Sequence, residues 1–67
     1  MSIFAERLTE LRKERNLSQN ELAKQIGVSV ACVNRWENDL RIPNIESLSA
    51  LCKFFECSAD FLIGLEE

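Results

Sequence analysis

The sequence predicts an all-α fold: one compact domain of five helices over residues 1–67. Three observations predict it. The chain is 46% apolar with only two Gly and one Pro, a composition that favours packed helices over disorder. Its apolar residues recur at three- and four-residue spacing, with no sustained two-residue alternation. A Ser or Asn stands before each periodic stretch, where a helix N-cap belongs.

The elements follow in order. Ser2 caps a first helix over about 3 to 15, with Phe4, Leu8 and Leu11 on one stripe, and Asn16-Leu17 ends it. Ser18-Gln19-Asn20-Glu21 has the form of a capping box, in which Ser and Glu satisfy each other's backbone N–H. The second helix runs to about Ile26 and stops at Gly27, a residue suited to a left-handed C-terminus. Ser29 caps a third helix over about 30 to 37. Residues 38–43 form a loop, because Pro43 disfavours helical geometry at Ile42. Asn44 caps a fourth helix carrying Ile45, Leu48, Leu51, Cys52 and Phe55, and Cys57 is expected to break it. Ser58 caps a short fifth helix that Gly64 closes.

Ile45, Leu48, Leu51, Phe55, Phe61 and Leu62 are expected in the core. Phe54, Ile63 and Leu65 exceed what one apolar face can bury, and such a surplus suits a dimer contact.

A 67-residue chain buries only about 60% of the surface that its unfolded form exposes. Its stability margin is accordingly on the order of 5 kcal/mol. His is absent, which removes the commonest general base and neutral metal ligand. No nucleophile–base pair or carboxylate dyad stands out, so neither an enzyme nor a cofactor site is expected. Cys32, Cys52 and Cys57 form no CxxC pair and read as small apolar residues, not as zinc ligands. An odd cysteine count without a leader suits a reduced, cytoplasmic protein. No segment approaches a membrane span of about 20 apolar residues.

The net charge is −3, unusual for a nucleic-acid binder. Its distribution matters more than its sum. Residues 1–41 hold seven Lys/Arg and six Asp/Glu, a balance of +1; residues 42–67 hold one Lys and five Asp/Glu, a balance of −4. The acidity lies in the C-terminal third, and a phosphate-facing surface in the first part of the chain would be near neutral. Weak non-specific binding is expected, since that attraction comes from Lys/Arg.

Residues 18–38 carry the functional signal. Two short helices joined through a Gly form a helix-turn-helix. The crossing needs a small side chain, supplied by Ala23, and a positive φ, supplied by Gly27. Leu22, Ile26, Val28, Val33 and Trp36 are spaced to pin both helices to the domain.

The run LSQNELAKQIGVSVACVNRWENDLRIP resembles the lambda-repressor/Cro-type helix-turn-helix family, also called the xenobiotic-response-element family. The ending Cys57-Ser58-Ala59-Asp60-Phe61-Leu62-Ile63-Gly64 is similar to that family's fifth helix. The resemblance implies a five-helix domain that binds operator DNA, often as a homodimer on a palindrome, in a bacterial or phage-encoded repressor. It also implies an ion pair between Arg12 and Glu37; the alternative is two solvated surface charges.

In this docking mode the N-terminal half of the second motif helix meets base edges in the major groove. Ser29, Val30, Ala31, Asn34 and Arg35 are the candidates here. Asn34 suits adenine and Arg35 guanine, while Val30 and Ala31 suit thymine methyl groups. Candidate phosphate contacts are Ser18 and Gln19 at a helix N-terminus, and Asn38 and Arg41 in the following loop. Gln19 resembles the family's phosphate-clamping Gln. Two other readings stay open: an antitoxin or accessory regulator, and a protein-interaction module that kept the fold without binding DNA. The net acidity, Val30 and Ala31 favour the last; Gln19, Arg35, Asn38 and Arg41 oppose it.

Overall fold

The computed structural model describes residues 2–67, and all five expected helices are present: α1 (Ile3–Glu14), α2 (Gln19–Ile26), α3 (Val30–Glu37), α4 (Ile45–Phe55) and α5 (Ala59–Ile63). There is no strand among the described residues.

Local chemistry sets both ends of every helix. Ser2, Ser18, Ser29, Asn44 and Ser58 sit at the N-caps with extended backbones. Each side chain accepts the N–H three residues on, from Ala5, Glu21, Cys32, Ser47 and Phe61. Such a cap contributes about 1 kcal/mol over Ala. The Ser18 box closes completely, because Glu21 also accepts the Ser18 N–H at 2.9 Å.

At the other ends the described chain turns left-handed at Asn16, Gly27, Asp39, Glu56 and Gly64. α4 is therefore terminated by Glu56 (φ 55°), one residue before the expected break at Cys57. Glu is an uncommon residue in that conformation, which is why the sequence did not flag it. The N–H groups of Glu56 and Cys57 both return to the Cys52 carbonyl and hold the turn.

The core lies between the helices and gathers Phe4, Leu8, Leu22, Val33, Trp36, Leu51, Phe55 and Leu62. α1 packs on α3 and α5, α2 on α3 and α4, and α4 on α5. Ala23 is buried where α2 meets α3, as the crossing requires. Ile26, Val28 and the three cysteines pack against the core edge, half-buried.

Two expected core positions differ. Ile45 is 85% exposed: as the first residue of α4 it lies beyond the core's edge, and the side that packs on the core begins with half-buried Leu48. Phe61 is half-buried, its ring covered by Arg7. Ile63 and Leu65 are exposed as expected, while Phe54 is half-buried under Arg15.

Gly27 and Gly64 separate two causes of glycine dependence. Gly27 has φ +77°, and a Cβ there would meet nothing within 4 Å. Gly64 has φ +91°, and its Cβ would lie 2.9 Å from Ile3 Cγ2. Gly27→Ala should cost only the left-handed backbone penalty, about 1 kcal/mol. Gly64→Ala should cost more, roughly 2 kcal/mol, because Ile3 must also move. Urea midpoints measured side by side check the order; equal losses would contradict it.

Candidate nucleic-acid interface

α3 divides lengthwise. Val33, Trp36 and Glu37 are buried, whereas Val30, Ala31, Asn34 and Arg35 are exposed. The exposed four fall at i, i+1, i+4 and i+5, a single stripe on a helix. Val30 is 44% exposed, so this stripe begins with an apolar step. Ser29 at the N-cap is exposed as well, although its hydroxyl oxygen already accepts the Cys32 N–H.

One flank of the stripe is polar and tied to α2. Asn34 Nδ2 donates to Gln19 Oε1 at 3.2 Å. Gln19 Nε2 donates in turn to Glu37 Oε1, also at 3.2 Å. Gln19, the first residue of α2, thus stands beside α3 with its carboxamide held from both ends. Ser18 is exposed next to it, with its N–H and its hydroxyl oxygen both used in the capping box. The Ser18 backbone hydrogen bond holds the Glu21 carboxyl below its ordinary range, so α2 starts with an ionised anion of its own.

The other flank is cationic. Arg35 and Arg41 line a groove of about 260 Å³ with Trp36, Asn44 and Ser47. Asn38 caps α3 and donates Nδ2 to the Asn34 carbonyl at 2.8 Å. The predicted site residues are therefore brought to one side of the domain: Gln19 through Asn34, Asn38 through the Asn34 carbonyl, Arg41 through Arg35.

Beneath this surface lies the pair that the resemblance implied. Glu37 is only 5% exposed. Arg12 grips it side-on, with Nε 2.7 Å from Oε2 and Nη2 2.9 Å from Oε1. The remaining Arg12 nitrogen donates to the Leu17 carbonyl at 2.8 Å. Burial pushes the Glu37 carboxyl up, but the hydrogen bonds from Arg12 and Gln19 outweigh it, and its pKa falls below the ordinary value. Its hydrogen bond to Glu37 raises Arg12. Both charges are thus held ionised and matched, and no buried side-chain polar atom among the described residues lacks a partner.

Sequence reasoning missed the work of two other α1 arginines. Arg7 lies 4.3 Å from the Phe61 ring centroid and donates to the Phe61 carbonyl and, at 2.6 Å, to the Glu66 carbonyl. Arg15 lies over the Phe54 and Phe55 rings and donates to the Phe54 carbonyl at 2.8 Å. A guanidinium over an aromatic face contributes about 0.5–1 kcal/mol at exposed sites. No local signal marks these roles, because each partner lies at least 39 residues away. They leave Arg35 and Arg41 as the arginines beside α3.

The sequence profile of the helix-turn-helix family matches residues 8–62. The chain belongs to that family. Among curated helix-turn-helix proteins it is 42% identical over 64 residues to the transcriptional activator BcrR of Enterococcus faecalis, covering 96% of this chain and 31% of that protein. To repressor protein C2 of Salmonella phage P22 it is 38% identical over 61 residues, covering 91% and 28%. The chain thus spans about a third of the length of these relatives. The crystal structure of the P22 c2 repressor in complex with a synthetic operator superposes with a TM-score of 0.90 at 35% identity, covering 98% of this chain and 100% of that one. This helix-turn-helix is therefore of the xenobiotic-response-element type, a fold of DNA-binding regulators and not of enzymes.

Breaking one side of a sealed ion pair strands the other charge, at about 3–5 kcal/mol. Arg12→Ala should lose that much, most of this domain's margin, as measured by urea denaturation. Because folding depresses the Glu37 pKa, its contribution is complete above the ordinary carboxylate range and is lost as pH falls through the folded value. The stability of the parent chain should therefore drop on acidification more steeply than that of Glu37→Gln. Parallel acid profiles would contradict the assignment.

Proposed function

We propose that this chain is the sequence-reading domain of a bacterial or phage transcriptional regulator. α3 enters the major groove of a two-fold symmetric operator, and two copies occupy its half-sites. Regulation is by occupancy, as in a repressor. The observation that carries this reading is the exposed α3 stripe of Val30, Ala31, Asn34 and Arg35, flanked by Gln19 on one side and Arg41 on the other.

The chemistry divides along those lines. Asn34 and Arg35 present hydrogen-bonding groups to base edges, with adenine and guanine as natural partners. Val30 and Ala31 offer methyl groups to thymine. Ser29 stands at the start of the stripe and meets the first base pair. Arg41, Asn38, Ser18 and Gln19 hold phosphates on the two sides of the groove and fix the register. The domain measures 27 × 24 × 22 Å, and half-sites lie about 34–36 Å apart. Two copies therefore fit side by side on one face of the duplex.

One observation favours a second reading, a protein-interaction module. Arg7, Arg12 and Arg15 are spent on contacts within the domain, which leaves five outward cations, Lys13, Lys24, Arg35, Arg41 and Lys53, on a chain of net charge −3. Salt dependence separates the two. A DNA-reading domain loses affinity steeply as salt rises, whereas an interaction module shows almost no binding to duplex at any salt.

Selection from a random duplex pool should return a two-fold symmetric consensus with half-sites one helical turn apart. Asn34→Ala and Arg35→Ala should each relax preference at particular base pairs by about 1–3 kcal/mol. Arg41→Ala should weaken all sequences alike and reduce the salt slope by about 1. Fluorescence anisotropy titrations at several salt concentrations read both quantities. A uniform loss for Arg35→Ala would remove its assigned role.

A further inference from the structure

Four side chains form one continuous hydrogen-bonded line from the interior to the exposed stripe: Arg12 to Glu37, Glu37 to Gln19, Gln19 to Asn34. Its direction follows from chemistry. An ionised carboxylate only accepts hydrogen bonds. Glu37 must therefore receive the NH2 end of the Gln19 carboxamide, at 3.2 Å. The oxygen end of Gln19 then faces Asn34, and an oxygen needs a donor. Asn34 must turn its own NH2 toward Gln19, also at 3.2 Å. Each amide could flip by itself at little cost, but the buried anion removes that choice for both.

What remains on Asn34 is its second N–H and its Oδ1, in a fixed order across the stripe. An adjacent donor and acceptor match the N7 and N6 of adenine, and only one order suits a given approach. We infer that Glu37 is a positioning residue for base recognition: acting through Gln19, it fixes the amide polarity of Asn34 and thereby the base that Asn34 prefers. The inference rests on the operator-binding reading above and deepens it. It gives Gln19 a second duty besides phosphate contact, and makes Asn34 dependent on a carboxylate that it does not touch.

The test uses Gln19→Leu, which cuts the line while leaving the Arg12–Glu37 pair whole. Its first arm needs no DNA. The Asn34 side-chain amide resonances of the free protein should shift in Gln19→Leu and stay in place in Arg35→Ala. Unshifted resonances in Gln19→Leu would overturn the line itself.

The second arm measures binding to four duplexes that differ only at the base pair whose preference Asn34→Ala abolishes. Gln19→Leu should lose the same preference, by about five- to 150-fold. The double variant Gln19→Leu with Asn34→Ala should lose no further discrimination. A uniform weakening on all four duplexes, additive with Asn34→Ala, means that Gln19 only holds phosphate, and overturns the inference. Glu37→Gln, studied at a temperature where its circular dichroism is unchanged, should broaden the preference in the same direction; an unchanged preference counts against Glu37. If the parent chain binds no selected duplex while its Asn34 resonances behave as expected, the hydrogen-bonded line stands and the operator reading falls, taking the recognition role with it.

Discussion

A carboxylate almost sealed from water must have its charge matched, and the motif half of this domain is arranged around the one at Glu37. Arg12 reaches it from α1 and uses its third nitrogen to hold the Leu17 carbonyl in the connection to α2. Gln19 reaches it from the first turn of α2. Glu37 itself ends α3. One anion therefore fixes three helices and a loop relative to one another. Replacing such a pair by apolar side chains of similar volume is often neutral for stability. An apolar replacement here would leave the Leu17 carbonyl and the Gln19 amide without these partners, so this pair both stabilises the domain and orients its helices.

The small size of the domain explains how its other cations are used. Among the described residues ten apolar side chains are buried, and the Phe54 and Phe61 rings at the core's edge are only half-buried. Arg7 and Arg15 cover those edges, each with its guanidinium over a ring and an N–H on a distant backbone carbonyl. Long cationic side chains are suited to this, since the stem lies along apolar surface and the head stays wet. Three of the eight cations thus serve the domain's own closure, and Lys13, Lys24, Arg35, Arg41 and Lys53 stay exposed.

Where the sequence was legible, the cause was local. The five N-caps follow from Ser or Asn placed before an apolar stripe, and capping needs only the next three residues. Gly27 and Gly64 were legible for the same reason. The end at Asn16 and the loop holding Asp39 were read too, since Asn and Asp enter the left-handed region more easily than most residues; Glu56 was not, because a Glu turns left-handed only when the surrounding contacts require it. Ile45 was misread because periodicity does not say where a core ends. Of the site, the exposed face of α3 followed from its apolar spacing, and the Arg12–Glu37 pair from resemblance alone. The bonds from Gln19 to Asn34, and the arginine straps, join helices across intervals that no short pattern encodes.

The lengthwise division of α3 separates two kinds of constraint along eight residues. Val33, Trp36 and Glu37 answer to the scaffold; Val30, Ala31 and Arg35 touch little of it. Substitution at those three outward positions therefore leaves the packing of the domain largely untouched. Asn34 is the exception, since a change there also disturbs a neighbour on α2. Along this one face, tolerance to change is therefore widest at the outward trio and narrowest at the residue moored to the interior.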